Sequence, residues 1–165
     1  MTVKEGRTGT LCFVDVDHRI EVDGRLKAEE RHNIVYRGAD QGVAKVLESA
    51  PRGDHTRVVN ATPVLLFRYS ALTFNSHRIH YDYPYATEVE GYPGLVVHGP
   101  LQATLLLHFA AEAHGTPPTR FTYRNHSSLI ADTPFTLHAT REGAHMKLWT
   151  ARENGPVAMA AEAYW

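Results

Sequence analysis

Apolar and polar residues alternate along residues 9–37 in the manner of β-strands. In the segment GTLCFVDVDHRIEV, Leu11, Phe13, Val14 and Val16 are interspersed with polar positions. Val22 at the end of this segment is followed by Asp23-Gly24, and VDG is typical of a turn. The later segment RHNIVYR has the composition of another short strand. The pattern predicts extended structure over the first part of the chain.

The strongest helical pattern covers residues 98–114, HGPLQATLLLHFAAEAH. Leu101, Leu105, Phe109 and Glu112 recur at spacings of three to four, and alanines fill the gaps. Gly115 and the following Pro-Pro pair are stop signals. Because this helix is apolar over most of its circumference, we expect it to be buried.

Strand patterns follow the helix, in the order RFTYRNHSSL, TPFTLHATREG, HMKLWTAR and PVAMAAEAYW. Glu142-Gly143 and Asn154-Gly155 predict hairpin turns, and Asn-Gly is a type I′ signal. One long helix followed by about four antiparallel strands predicts an α+β fold, in which a curled sheet wraps around a central helix.

The segments before the helix are more varied. The run VLLFRYSAL (64–72) has the composition of a strand, and YPYATEVEGYPG favours a short helix and a turn. Residues 38–62 are polar and contain Gly, Pro and Asp, which predicts a linker with one helical turn at Val43–Ser49.

Composition narrows the functional classes. A length of 165 residues is about one domain, and a net charge of −1 argues against a nucleic-acid partner. One cysteine, Cys12, excludes an internal disulfide and favours a reducing compartment. The sequence has no apolar stretch of membrane-spanning length and no signal-peptide pattern, so we expect a cytoplasmic protein without a membrane partner.

The stretch TFNSHRIHYD (73–82) concentrates polar chemistry. An imidazole titrates near neutral pH, so His77 and His80 are candidate proton carriers, and Asp82 is a third. The Asn75 amide can orient a water but cannot abstract a proton. None of the 11 histidines has zinc-site spacing, and the chain has no nucleophile elbow, P-loop or dinucleotide fingerprint. We therefore expect neither metal nor cofactor.

Three spaced elements resemble the MaoC-like hot-dog-fold dehydratases and hydratases. These enzymes have a D-x-N-P-I/L-H stretch, then YA or FA, then an HG that begins the central helix. Here N75-S-H-R-I-H80, Tyr85-Ala86 and His98-Gly99 match these elements. The likeness covers residues 63–165 and implies a hot-dog fold for them.

Within this group, FNxHRIHYD resembles the branch that contains itaconyl-CoA or mesaconyl-C4-CoA hydratases and hydroxyacyl-thioester dehydratases. The segment FVDVDHRI…AEERHNIVYR resembles the end of the first hot-dog half of two-domain members. The resemblance implies that residues 1–62 are a remnant of that half with a linker, and that 63–165 are a MaoC-like hot-dog domain. It also implies self-association into a homodimer.

The activity implied is that of a hydro-lyase. Such an enzyme hydrates an enoyl thioester, or dehydrates a 3-hydroxyacyl thioester, carried by CoA or a carrier protein. His80 would carry the proton, and Asn75 would stand where the family has an Asp and orient a water or the imidazole. The backbone N–H of Gly99 would stabilise the oxyanion at the start of the helix.

The resemblance also suggests residues that contact the substrate. Arg78 is either a handle for the phosphates or pantetheine of the carrier or an exposed loop charge. His77 is a second proton carrier, and Tyr81 and Asp82 hold the loop and can contact substrate. Gly94 and Val96 would line an acyl tunnel, and His98 would have a positioning role.

Three other functions are alternatives to the hydro-lyase. An acyl-CoA thioesterase would need a carboxylate near the site, and Glu112 is too far along the helix. A non-catalytic or assembly subunit would fit Asn75 and the shortened first half. A tailoring enzyme of secondary metabolism would use the same pocket on an unusual substrate.

Overall fold

The computed structural model describes residues 2–6, 9–37 and 48–165. The chain divides into two compact units, Met1–Val46 and Leu47–Trp165. Each unit has its own antiparallel sheet, one of three strands and one of five.

The first unit is a meander of β1 (Thr2–Gly6), β2 (Gly9–Val22) and β3 (Arg25–Arg37). Asp23 and Gly24 connect β2 to β3 with φ angles of 51° and 70°, and positive φ at both positions is typical of a type I′ hairpin. The predicted strands and the turn between them are therefore confirmed.

The second unit contains the remaining elements, which are β4 (His55–Val59), α1 (Pro63–Thr73), α2 (Gly99–His114), β5 (Arg120–Asn125), β6 (Phe135–Glu142), β7 (His145–Ala151) and β8 (Val157–Tyr164). A 3₁₀ turn (Arg78–His80) and a π-helical turn (Tyr85–Val89) lie between the two helices. The sheet has the order β4-β6-β7-β8-β5. Its last four strands in sequence are those that the alternation predicted.

Helix α2 packs on strands β5 to β8. Leu106 and Phe109 face Leu137, Leu148 and Met159 in a continuous core, and all five side chains are buried. Each such side chain contributes about 1.5–3 kcal/mol by leaving water. A single long helix against an antiparallel sheet confirms the α+β prediction.

Only one face of α2 is buried within this chain. Thr104, Leu107 and Glu112 lie on the other face and are exposed, and Glu112 pairs with Arg57 of β4. The expectation of a buried helix is therefore correct for the sheet-facing side only. No helix formed by the described residues has both the length and the hydrophobicity of a membrane span.

The prediction of a strand at VLLFRYSAL is wrong, since this run is α1. The Thr62 hydroxyl accepts a hydrogen bond from the Leu65 N–H at 3.2 Å, and Pro63 occupies the first turn. Both are helix-start signals. Leu66 and Ser70, four residues apart, form the buried face. A short apolar run does not by itself distinguish a helix from a strand, and the Thr-Pro pair before it does.

The linker prediction for residues 38–62 is wrong at His55–Val59. This segment is β4, which pairs with β6 from His55–Ala139 to Val59–Phe135. It is an edge strand whose side chains are mostly exposed, so it lacks the alternation that marks a strand in the sequence. The predicted helical turn at Val43–Ser49 lies outside the described residues, except for its last two positions.

Both predicted hairpin turns after α2 are present, but the second is not type I′. The Gly155 N–H donates to the Arg152 carbonyl at 3.0 Å, so Glu153 and Asn154 are the central residues. Only Asn154 among them has a positive φ, 54°, whereas type I′ requires it at both positions. The Asn-Gly pair is therefore shifted by one residue relative to the turn.

Candidate active site

The loop after α1 is held by its own polar groups. The Asn75 N–H donates to the Ser70 carbonyl at 2.9 Å, and Asn75 Oδ1 accepts from the His77 N–H at 3.0 Å. An asparagine that bonds the backbone two residues on is a turn-forming arrangement. The chain then enters the 3₁₀ turn, whose last two residues, Ile79 and His80, are buried.

A second cluster holds the outer side of the loop. The Arg78 guanidinium donates to Asp82 Oδ2 through Nε (3.0 Å) and Nη2 (2.7 Å) and lies 4.1 Å from the Tyr85 ring centroid. The bond from Arg78 lowers the pKa of the Asp82 carboxyl. Tyr81 donates its hydroxyl to the Ser76 carbonyl. These side chains bind one another, and Arg78 is 54% exposed.

His80 is the buried imidazole of the loop. Its Nδ1 lies 2.7 Å from the Val96 carbonyl oxygen. A carbonyl only accepts, so Nδ1 carries the proton and Nε2 has the free lone pair. Burial lowers the pKa of His80 below 6.5, and the nearby His77 adds to this, although the Val96 bond opposes it. His80 is therefore a neutral base at pH 7.

A second imidazole, His98, lies behind the first. The rings of His80 and His98 stack with centroids 3.6 Å apart and an angle of 18°. His98 is completely buried, and its Nε2 lies 2.8 Å from the Ser70 hydroxyl of α1. Burial, with smaller contributions from His80 and His77, lowers the pKa of His98 to about 4. The stack thus joins two neutral rings.

A cavity of about 330 Å³ opens beside His80. Four predicted residues line it: His77, His80, Val96 and Gly99. Tyr92 lines the cavity as well, together with five polar residues that sequence analysis did not single out, namely Gln102, Asn125, His126, Ser127 and Ser128. The site therefore combines the loop, the start of α2 and the segment after β5.

Gly99 begins α2 at the edge of this cavity. Its N–H belongs to the first helical turn, where N–H groups have no partner within the helix and the dipole favours negative charge. A Cβ at this position would lie 2.5 Å from Asn125 Nδ2, which is closer than real Cβ contacts. Only glycine therefore allows the Asn125 amide to lie against the helix start.

The other predicted residues are not among those that line the cavity. Asn75, Arg78, Tyr81 and Asp82 hold the loop by the bonds described above. Gly94 is buried where a Cβ would meet Ile130 at 3.0 Å, which is a packing position. His98 is separate again, since it supports the His80 ring from behind.

The missed residues had weak sequence signals. Gln102 is a polar residue within an apolar helix, and that contrast could have marked it. It is 2% exposed, and its Oε1 accepts from the Thr150 hydroxyl at 2.7 Å. Asn125 ends β5, and Ser127 and Ser128 follow it with the composition of any loop, so only the tertiary structure brings them to the site.

A larger open groove of about 760 Å³ lies elsewhere on the second unit, along the sheet. Thr122, Arg124, Lys147, Trp149 and Glu162 line it, and it contains no residue of the 73–82 loop. The smaller cavity is the better candidate because it holds a buried imidazole with an available nitrogen beside the first turn of α2.

The profile of hydroxyacyl-thioester dehydratase type 2 matches residues 2–131. The chain belongs to this family. The match includes the 73–82 loop, α2 and the residues after β5, so all three parts of the cavity lie within it.

Two curated relatives are similar over most of the chain. It is 45% identical to mesaconyl-C(4)-CoA hydratase of Chloroflexus aurantiacus over 164 residues, 98% of this chain and 59% of that protein. It is 33% identical to the mitochondrial hydroxyacyl-thioester dehydratase type 2 of Schizosaccharomyces pombe, over 78% of this chain and 43% of that protein. The chain thus spans about half the length of these relatives.

Solved structures support the fold. HtdX of Mycobacterium tuberculosis superposes with a TM-score of 0.76 at 20% identity, over 100% of this chain and 66% of that one. A MaoC-like dehydratase of Phytophthora capsici gives 0.76 at 14% identity, over 99% and 61%. These similarities confirm the predicted hot-dog fold.

Proposed function

We propose that this protein is a hydro-lyase that adds water to an enoyl thioester, or removes it from a 3-hydroxyacyl thioester, with His80 as the acid and base. The observation that carries this proposal is the orientation of His80. Its Nδ1 is committed to the Val96 carbonyl, so Nε2 is the nitrogen left to take a proton at the cavity. The family supports the substrate class, since its members are named for thioester hydration or dehydration.

The proposed hydration has two proton transfers. His80 Nε2 removes a proton from water as the water oxygen bonds to the β-carbon, and the alkene electrons move to the thioester oxygen. The resulting enolate then takes the proton from the imidazolium at its α-carbon. Water is thus added in full and the imidazole is restored, and dehydration is the reverse.

Gly99 would stabilise the enolate oxygen. Its N–H lies at the positive end of α2 and at the edge of the cavity that His80 lines. A fixed donor directed at developing charge is worth about 10²–10³ in rate. The absence of a Cβ lets the Asn125 amide lie against this end of the helix.

Asn75 takes a different role in this proposal from the one that the resemblance implied. Its Oδ1 is bonded to the His77 N–H, and it does not line the cavity. We assign it to the loop, where it sets the entry to the 3₁₀ turn. His80 then acts without a carboxylate partner from that position.

Purified protein with crotonyl-CoA, mesaconyl-CoA or itaconyl-CoA tests the function through loss of the enoyl absorbance. The proposal expects turnover that disappears in His80→Ala. Release of free CoA instead would indicate a thioesterase, although Glu112 is 57% exposed and paired with Arg57. A stable complex with another chain and no turnover of any thioester would indicate an assembly subunit.

The carrier is CoA or a carrier protein, and the expected cellular location is the cytoplasm. The chain would form a homodimer. Light scattering after size exclusion tests the last point, and a clean monomer would contradict it.

A further inference from the structure

Gln102 lies deeper in the cavity than the proposed oxyanion donor. It follows Gly99 by three residues on α2, so the two positions share a helix face. Gly99 is half-buried at the start of the helix, whereas Gln102 is 2% exposed. A thioester held at Gly99 would therefore extend its acyl group toward Gln102.

The orientation of the Gln102 amide is fixed by a short chain of hydrogen bonds. The Met159 N–H donates to Thr150 Oγ1 at 3.1 Å, and the Thr150 hydroxyl donates to Gln102 Oε1 at 2.7 Å. Thr150 is completely buried. Because its one proton goes to Oε1, the Gln102 oxygen faces β7 and the NH₂ group has to point the other way.

That NH₂ group contacts the cavity. Among the described residues, His98 Nδ1 is the one fully buried side-chain nitrogen or oxygen atom without a hydrogen-bond partner. Gln102 Nε2 has no hydrogen-bond partner among these residues either, yet it is not one of the fully buried atoms. It is therefore accessible from the cavity that Gln102 lines. The floor of the cavity thus presents a fixed donor.

A buried donor discriminates between acyl groups. A hydrocarbon chain would displace water from Nε2 and leave it unpaired, which costs free energy. An acyl group with an oxygen acceptor at its far end would pair with it. Asn125, Ser127 and Ser128 add neutral donors to the same cavity, whose volume of about 330 Å³ suits a short acyl group.

We propose that Gln102 is a specificity-determining residue that selects short acyl thioesters with a carboxylate or similar oxygen acceptor at the distal carbon. The inference rests on the proposed function for the position of the thioester. Thr150 is its positioning residue, because it holds the amide in the orientation that presents the donor. A site built to bond a polar group rejects the analogue without that group.

Binding of two unreactive thioesters tests this directly. Succinyl-CoA and butyryl-CoA differ by a carboxylate in place of a methyl group, and neither can be hydrated. Titration calorimetry on the 165-residue chain should give at least about tenfold tighter binding of succinyl-CoA. Equal affinities in the unmodified protein would overturn the inference.

Gln102→Glu is the sharpest variant. It is nearly isosteric and keeps an acceptor for Thr150, but it puts an oxygen where the NH₂ group was. It should abolish the preference for succinyl-CoA, because a glutamate carboxylate at this position cannot donate to the succinyl carboxylate. An equal loss for both ligands, or an unchanged preference, contradicts the proposal. Gln102→Leu serves as a second variant if Gln102→Glu does not fold.

Thr150 is tested by the selectivity ratio rather than by activity alone. The matched enoyl pair is mesaconyl-C4-CoA and 3-methylcrotonyl-CoA, again a carboxylate against a methyl group. Thr150→Val should lower the ratio of their kcat/KM values severalfold, and Thr150→Ser should restore it. A parallel fall on both substrates, or no rescue by serine, indicates a structural role only and contradicts the positioning assignment.

These outcomes separate the two proposals. Turnover of both enoyl thioesters with no dependence of selectivity on Gln102 would refute the inference and keep the hydro-lyase. A preference for succinyl-CoA that depends on Gln102, without turnover of any enoyl thioester, would refute the hydro-lyase and keep the acyl-binding role.

Discussion

The two sides of the 73–82 loop use similar residue types for different purposes. On the outer side, Arg78 and Asp82 bind each other and remain accessible to water. On the inner side, His80 is 7% exposed and has one nitrogen bonded to the Val96 carbonyl. Adjacent positions in sequence thus differ in burial and in how their polar atoms are used.

This difference is the basis for proposing His80, and not Arg78 or Asp82, as the reacting residue. Exposed groups such as Arg78 and Asp82, which hydrogen-bond to each other, maintain the conformation of the loop. An exposed ion pair of that kind contributes little to the free energy of unfolding. A buried imidazole with its tautomer fixed and its other nitrogen at a cavity has an altered pKa and a defined direction. The predictions below test that contrast.

The largest effect is expected for His80. His80→Ala should lower kcat/KM for an enoyl-CoA by about 10²–10⁴, because it removes the proton carrier. His77→Ala is the matched control, since His77 lines the same cavity but is exposed. We expect it to cost less than about tenfold on the same scale. Equal losses of kcat/KM in the two variants would contradict the distinction between the inner and outer sides of the loop.

Gly99 should show the next effect, through Asn125. Gly99→Ala places a Cβ 2.5 Å from Asn125 Nδ2, and the displacement should lower kcat/KM by about 10–100-fold. The three atoms nearest to this Cβ, outside the helix itself, belong to the Asn125 side chain. Gly99→Ala should therefore lower kcat/KM much less in a protein that already carries Asn125→Ala than in the unmodified protein. A Gly99→Ala protein with full activity would refute the close-contact argument.

His98 should affect stability in a defined pH window. Its pKa is about 4 in the folded protein and 6.5 ordinarily, so the unfolded chain binds more protons between these values. Stability from this group is therefore complete above pH 6.5 and is lost as pH falls toward 4. Thermal melts should show a shallower decline over this window in His98→Gln than in the unmodified protein. Parallel curves would argue against a neutral buried ring.

Arg78 should show the smallest effect. Because its ion pair with Asp82 is exposed, Arg78→Ala should change the free energy of unfolding by less than about 1 kcal/mol. The KM of the Arg78→Ala protein for a CoA thioester should rise by no more than a few-fold, and Arg78→Lys is the charge-retaining control. A large rise in KM that lysine rescues would instead support the predicted contact with the carrier phosphates.

Periodicity located most elements because burial on one side leaves a regular trace. Leu106 and Phe109 on α2, and the alternating core residues of β6 to β8, are examples. Prediction failed where that trace is weak: β4 lies at a sheet edge, and α1 is apolar on nearly every side. For α1, the Thr62-Pro63 start carried the missing information.

The sequence alone determined the α+β class and the hot-dog fold, and it indicated the 73–82 loop as a candidate site, since these depend on local pattern and on family resemblance. The tertiary structure decided which loop residues face the cavity. It stacked His80 on His98, fixed the His80 tautomer through Val96, and brought Gln102 and Asn125 to the site. These relations join residues distant in the chain, so their geometry follows only from how the helices and sheet pack.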